Sequence, residues 1–141
     1  MYNEFPKHTL DTAPEKSKPL LKQLLEQSGP NGFYSVTAES PETLAAYAML
    51  HKAFMASSFT NEEKTVIWQS INVENECHFC VPAHTYMAKN MKIDKSVSDA
   101  LRDETALPTA RLEALRDFTL LMLRNDGNAS EAEISKFLSA G

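Results

Sequence analysis

Residues 74–84 read ENECHFCVPAH, and they hold both cysteines of the chain and two of its four histidines. Cys77 and Cys80 stand two residues apart, the spacing at which a dithiol closes into a small disulfide ring and reopens. On a helix Cys80 and His84 are i and i+4, one above the other. A thiol attacks only as thiolate, and two neighbours favour that form here: a helix N-terminus with unpaired N–H groups, and a protonated imidazole. Glu74 ends an apolar stripe where leucine would be unremarkable. A carboxylate in such a setting is expected to resist ionising, which suits a group that takes and returns protons.

Other chemistries use the same residue types. Cys77, Cys80 and His84 are also zinc-ligand vocabulary, with His78, His51, His8 or Glu74 needed as a fourth ligand. There is no second CxxC and no HxxxH. Val81 after Cys80 excludes a haem-attachment CxxCH. Two inert buried cysteines, packing as small hydrophobes, are the plain alternative. His78 reads as a solvated polar residue, and His51, on an apolar stripe, as a hydrogen-bonded core histidine.

The elements that must position this cluster read as helices throughout. Residues 15–27 (EKSKPLLKQLLEQ) run to the stop Ser28-Gly29-Pro30. Ser40-Pro41-Glu42 starts a helix with Leu44, Tyr47, Ala48, His51, Phe54 and Met55 on one face. Thr60-Asn61-Glu62-Glu63 is a capping box, opening a helix whose stripe is Val66, Ile67, Ser70, Ile71 and Glu74. Trp68 lies off that stripe and marks a candidate partner surface. Further helices are predicted over 79–91, 95–104 and 108–124, with a short last one after the capping box Ser130-Glu131-Ala132-Glu133. Pro82 cannot donate to the carbonyl of His78, so the helix at 79–91 either kinks or begins near Phe79 with the cysteines at its mouth. The 108–124 helix is apolar on more than one side, which points to a central helix or a subunit interface. Alternating strand patterns are absent. The expectation is an all-α, single-domain bundle of about six to seven helices spanning residues 1–141.

Composition bounds the rest. A net charge of −5, with 14 Lys and Arg scattered along the chain, argues against a nucleic-acid surface. The N-terminal MYNEFPKHTLDTAPEK lacks the basic start and apolar run of a signal peptide, and no apolar run approaches a membrane span. A cytoplasmic protein is expected, and a reducing compartment disfavours a purely structural disulfide. The missing βαβ pattern excludes the thioredoxin fold.

An all-helical small protein with Cys-x-x-Cys-x-x-x-His resembles the alkylhydroperoxidase D-like group of the carboxymuconolactone decarboxylase family. The resemblance is carried by FTNEEKTVIWQSINVENECHFCVPAHTY, from Phe59 to Tyr86. It implies an antioxidant enzyme that reduces organic hydroperoxides, or exchanges disulfides, without metal, haem or other cofactor. It also implies a homo-oligomer, usually a trimer or hexamer, and an external dithiol or protein disulfide reductant as partner. The family's dithiol maps onto Cys77 and Cys80 and its histidine onto His84. By resemblance Cys80 attacks the peroxide and Cys77 resolves, whereas the helix-dipole argument favours Cys77 as the more acidic thiol. Many members carry a relay glutamate twelve positions before the first cysteine, where this chain has Thr65. A subgroup with ENEC before the dithiol makes Glu74 the candidate replacement, with Glu62 and Glu63 nearby. Thiol-disulfide exchange without peroxidase activity is the competing reading.

Overall fold

The computed structural model describes residues 5–141; Met1 to Glu4, part of the N-terminal stretch read above, lie outside the described residues. Eight helices, and no strand, form among the described residues. They divide into two compact units, one running to Ser57 and one from Ser58 to Gly141.

The first unit holds α1 (Lys18–Ser28), α2 (Gly32–Thr37) and α3 (Pro41–Met55). Leu21, Ala38, Leu44 and Ala13 form its core, with Leu20, Leu24, Leu25 and Tyr34 against them. The Ser17 hydroxyl, buried, donates to the Ala38 carbonyl instead of capping α1. That use of Ser17 places the start of α1 three residues later than the sequence pattern suggested. Gly29, at φ +75°, ends α1 in a conformation that side-chain-bearing residues avoid. Helix α2 is the element the sequence reading lacked: six residues give too little period to register, although Asn31 caps it by accepting the Phe33 N–H at 3.0 Å. Helix α3 begins as expected, with Ser40 accepting from Thr43 and Pro41 in the first turn.

The second unit holds α4 (Asn61–Glu74), α5 (Cys80–Asn90), α6 (Lys95–Arg102), α7 (Ala110–Arg124) and α8 (Glu131–Ser139). Both halves of the capping box at Thr60 and Glu63 are made, as are both halves at Ser130 and Glu133. Asp94 and Thr109 cap α6 and α7 with their side chains. Val66, Val97, Leu101, Leu112 and Leu115 form the core, with Ile67, Ile93 and Phe137 packed on it. Helix α4 lies against α5, α6 and α7, and so takes the central position. The apolar α7 does not: Leu112 and Leu115 are buried, whereas residues 118–123 are half-exposed.

Trp68, expected as a surface feature, is only 8% exposed. With α4 enclosed on several sides, being off the apolar stripe does not place a side chain in solvent.

Candidate active site

The turn between α4 and α5 builds the site. Helix α4 ends in a Schellman closure: the Cys77 N–H donates to the Asn72 carbonyl at 3.0 Å and the Glu76 N–H to the Val73 carbonyl at 2.9 Å. Glu76 supplies the left-handed residue at φ +48°, a position that glycine usually fills. This closure pins the backbone of Cys77 to the last turn of α4. Helix α5 then starts at Cys80, so Pro82 falls in the first turn, where a missing N–H breaks no helical bond. Of the two arrangements that Pro82 allowed, the cysteines stand at the helix mouth.

Cys77 and Cys80 are joined as a disulfide, their Cα atoms 5.2 Å apart. The Cys80 backbone N–H points at the Cys77 sulfur, at 3.1 Å. In the reduced protein that N–H and the α5 terminus favour negative charge on Cys77. Cys77 also lines a cavity of about 330 Å3 with Val73, Glu76, His78, Val81, Pro82 and Arg102. His78 is exposed and lines that cavity. The Arg102 guanidinium is held by Asp99 at 3.0 Å and Asp103 at 3.4 Å.

His84 lies one turn along α5 from Cys80, half-buried against α4. Its ring stacks on Trp68, centroids 5.0 Å apart and planes 24° from parallel. Its Nδ1 is 2.5 Å from the Asn72 amide nitrogen. Asn72 in turn donates to Gln69 Oε1 at 3.0 Å, and Gln69 Nε2 donates to the Val81 carbonyl and to Thr85 Oγ1, both at 3.1 Å. Gln69 is 1% exposed and Asn72 8%. A buried polar network of this kind is tolerated only when its members are bonded, and here they bond one another.

Neither Gln69 nor Asn72 stood out in the sequence, where the apolar stripe of α4 drew attention. A second signal was present: uncharged polar residues at 65, 69 and 72 repeat at helical spacing and trace another face. Asn72 ties the site together, its carbonyl holding the Cys77 backbone and its side chain holding the His84 ring.

The carboxylates behave differently from expectation. Glu74 does not resist ionising: a two-pronged hydrogen bond from Arg124, Nε at 2.6 Å and Nη2 at 2.7 Å, holds its carboxyl below the usual range. The apolar stripe suggested desolvation, but the arginine fifty residues later in the chain outweighs it. Glu74 lines a different cavity from the one at Cys77, in company with Ser70, Leu101, Glu104, Arg116 and Leu120. Glu63 is engaged as well. The Thr60 N–H and the Arg111 guanidinium, at 2.7 Å, lower its pKa and commit it to the helix start. Thr65 is buried and donates back to the Asn61 carbonyl at 2.8 Å. Glu62 is half-buried on α4.

Among the described residues, no group of three or more His, Cys, Asp or Glu side chains is arranged to hold a metal ion. His8 meets Glu39 at 2.5 Å and His51 stacks on Tyr47, both within the first unit. No helix of the described residues is long and apolar enough to cross a membrane.

No family model and no curated protein matches the chain. Solved structures do. One, described as an alkylhydroperoxidase AhpD core, an uncharacterized peroxidase-related protein from Ralstonia eutropha JMP134, superposes with a TM-score of 0.83 at 21% identity, covering 97% of this chain and 75% of that one. An uncharacterized peroxidase-related protein from Silicibacter sp. TM1040 gives 0.80 at 21% identity, covering 98% and 74%. At that identity the likeness is one of fold.

Proposed function

On the premise of the AhpD-core fold shared with those proteins, we propose that this chain is a cysteine-dependent peroxidase that reduces organic hydroperoxides through Cys77 and Cys80. The observation that carries the reading is the Cys77–Cys80 disulfide at the mouth of α5, with Cys77 opening onto a cavity and His84 one turn from Cys80.

In the order that the family resemblance implies, the Cys80 thiolate attacks the terminal peroxide oxygen, forming an S–O bond and breaking the O–O bond; with Cys77 as the more acidic thiol, the same steps run with the two cysteines exchanged. The alkoxide leaves and takes a proton as the alcohol. The Cys77 thiol then attacks the sulfenic sulfur, water leaves, and the disulfide forms. Two thiols and one hydroperoxide thus give one disulfide, one alcohol and one water. An external dithiol attacks the Cys77 sulfur, the one facing the cavity, and restores both thiols while becoming a disulfide itself. His84 acts beside Cys80. Glu74 enters as an ionised carboxylate that accepts a proton only by giving up its bonds to Arg124. The reading extends to a cytoplasmic homo-oligomer, a trimer or hexamer, in which a reducing environment supplies the dithiol.

A second reading, thiol-disulfide exchange without peroxidase activity, is favoured by one observation. The position of the relay glutamate is a buried, back-bonded Thr65, and both Glu63 and Glu74 are tied to arginines. A thiol count separates the two. Prereduced, metal-free protein is titrated before and after one equivalent of an organic hydroperoxide, with peroxide loss followed in parallel. Loss of two thiols per chain, matched to the peroxide consumed, is expected. Two thiols remaining with peroxide untouched would remove the peroxidase, and disulfide exchange with a protein partner would then be the surviving activity.

A further inference from the structure

The orientation of one buried amide sets the proton on His84. Gln69 Nε2 faces two acceptors at 3.1 Å, the Val81 carbonyl and Thr85 Oγ1. A carbonyl oxygen has no proton to give. The Thr85 hydroxyl proton is already directed at that same carbonyl, at 2.7 Å, so the hydroxyl oxygen must accept as well. Both contacts therefore require the NH2 end of Gln69, and turning the amide over would set its oxygen against two oxygens.

With that end settled, Gln69 Oε1 points at Asn72, which must donate. The same Asn72 nitrogen lies against His84 Nδ1, so its second hydrogen is directed at the ring. A nitrogen that receives a hydrogen bond carries no proton. His84 Nδ1 is the acceptor, and the single proton of the neutral imidazole sits on Nε2. Trp68, stacked on the ring, limits its rotation.

We infer that Gln69, acting through Asn72, is a positioning residue that holds His84 in the Nε2–H tautomer. The consequence for the site rests on the dithiol reading above. Where Nε2 meets the reacting sulfur, His84 is a hydrogen-bond donor to a thiolate and not a base for the thiol proton. It becomes a base only if the Asn72 amide swings away from Nδ1. The expected help from a positively charged imidazole is replaced by a neutral donor of set direction.

The test is spectroscopic and uses the full oxidised chain. Long-range nitrogen–proton correlation on 15N-labelled protein, above the ordinary imidazole range at about pH 8, reports the tautomer of each of the four histidines. His84→Gln assigns the resonances. The expected result is a pyrrole-like Nε2 and a pyridine-like Nδ1 for His84. Asn72→Asp, which sets a carboxylate oxygen against Nδ1, is expected to move the proton to Nδ1 and invert the pattern. Gln69→Leu frees the Asn72 amide to turn and is expected to give averaged resonances. An Nδ1–H pattern in the wild-type spectrum overturns the inference with no variant needed. So does an unchanged Nε2–H pattern in folded Asn72→Asp. Neither readout depends on peroxide. A protein with the Nε2–H pattern that ignores hydroperoxide keeps this inference and loses the peroxidase reading, and an active protein with the reverse pattern does the opposite.

Discussion

Helices α4 and α7 invert each other's sequence character. Helix α4 is polar in composition yet buries Glu63, Lys64, Thr65, Gln69, Ser70 and Asn72. Helix α7 is richly apolar, yet its second half stays partly exposed, and a groove of about 420 Å3 between α7 and α8 is lined by Phe118, Leu121 and Phe137. Hydrophobicity measures the gain from leaving water, but a polar side chain can be buried too if a partner replaces the water. On α4 the partners exist: helix carbonyls for Thr65 and Ser70, and one another for Gln69 and Asn72. On α7 residues 118–123 keep part of their surface exposed among the described residues. The lesson is that the site was built on the helix with the smaller apolar share of the two.

The largest expected effect breaks the α4 side of this comparison. Gln69→Leu leaves the Asn72 amide hydrogen and the Thr85 hydroxyl oxygen without their partner in a buried setting, and a loss of about 2–3 kcal/mol in denaturant unfolding is expected. A loss under about 0.5 kcal/mol, the level of an ordinary surface change, would mean that the network contributes little to stability.

Leu121→Ala on α7 should cost less, about 1 kcal/mol, because a half-exposed leucine has less transfer free energy to lose. A loss that matches Gln69→Leu and varies with protein concentration would mean a second copy covers the face. Sedimentation of the two proteins side by side distinguishes those cases.

Glu76→Gly probes the turn that joins α4 to the dithiol. A residue with a Cβ at φ +48° carries left-handed strain that glycine lacks, partly offset by the entropy glycine loses on folding. A net gain of about 0.5 kcal/mol is expected, visible as a higher midpoint in urea. A loss would show that the Glu76 side chain contributes more than its backbone costs.

The smallest effect expected is on the pH dependence of stability. Glu63 has a folded pKa below its ordinary 4.5, chiefly through the Thr60 N–H and then through Arg111. Its contribution to stability is therefore present above pH 4.5 and lost as pH falls through the lower folded value. Arg111 is 59% exposed, so salt screens its share. Glu63→Gln should flatten the acid limb of a stability–pH curve by lowering stability in the neutral region while leaving the acid end little changed. An acid limb of unaltered slope would assign that dependence to other carboxylates.

Much of the architecture could be read from local pattern. Capping boxes at Thr60 and Ser130, the Ser40-Pro41 start and the Gly29 stop act within a few residues, so the sequence places those ends to within about three residues. The dithiol and His84 were equally visible, because their spacing is itself the signal. Helix α2 was not, since six residues carry too little periodicity. Glu74 was misjudged in charge, since the decisive Arg124 is distant in sequence.

By itself, then, the chain's order of residues determined an all-helical protein and a Cys-x-x-Cys pair with a histidine one turn beyond. Those are short-range properties, set by side-chain type and by spacing along 3.6 residues per turn. Only the tertiary structure decided that α4 and not α7 lies at the centre, that Trp68 faces His84, that Arg124 keeps Glu74 ionised, and that Gln69 and Asn72 direct the imidazole. Each of those depends on which groups meet across helices, where hydrogen-bond partners and charges distant in the chain settle what a polar side chain costs and which proton it holds.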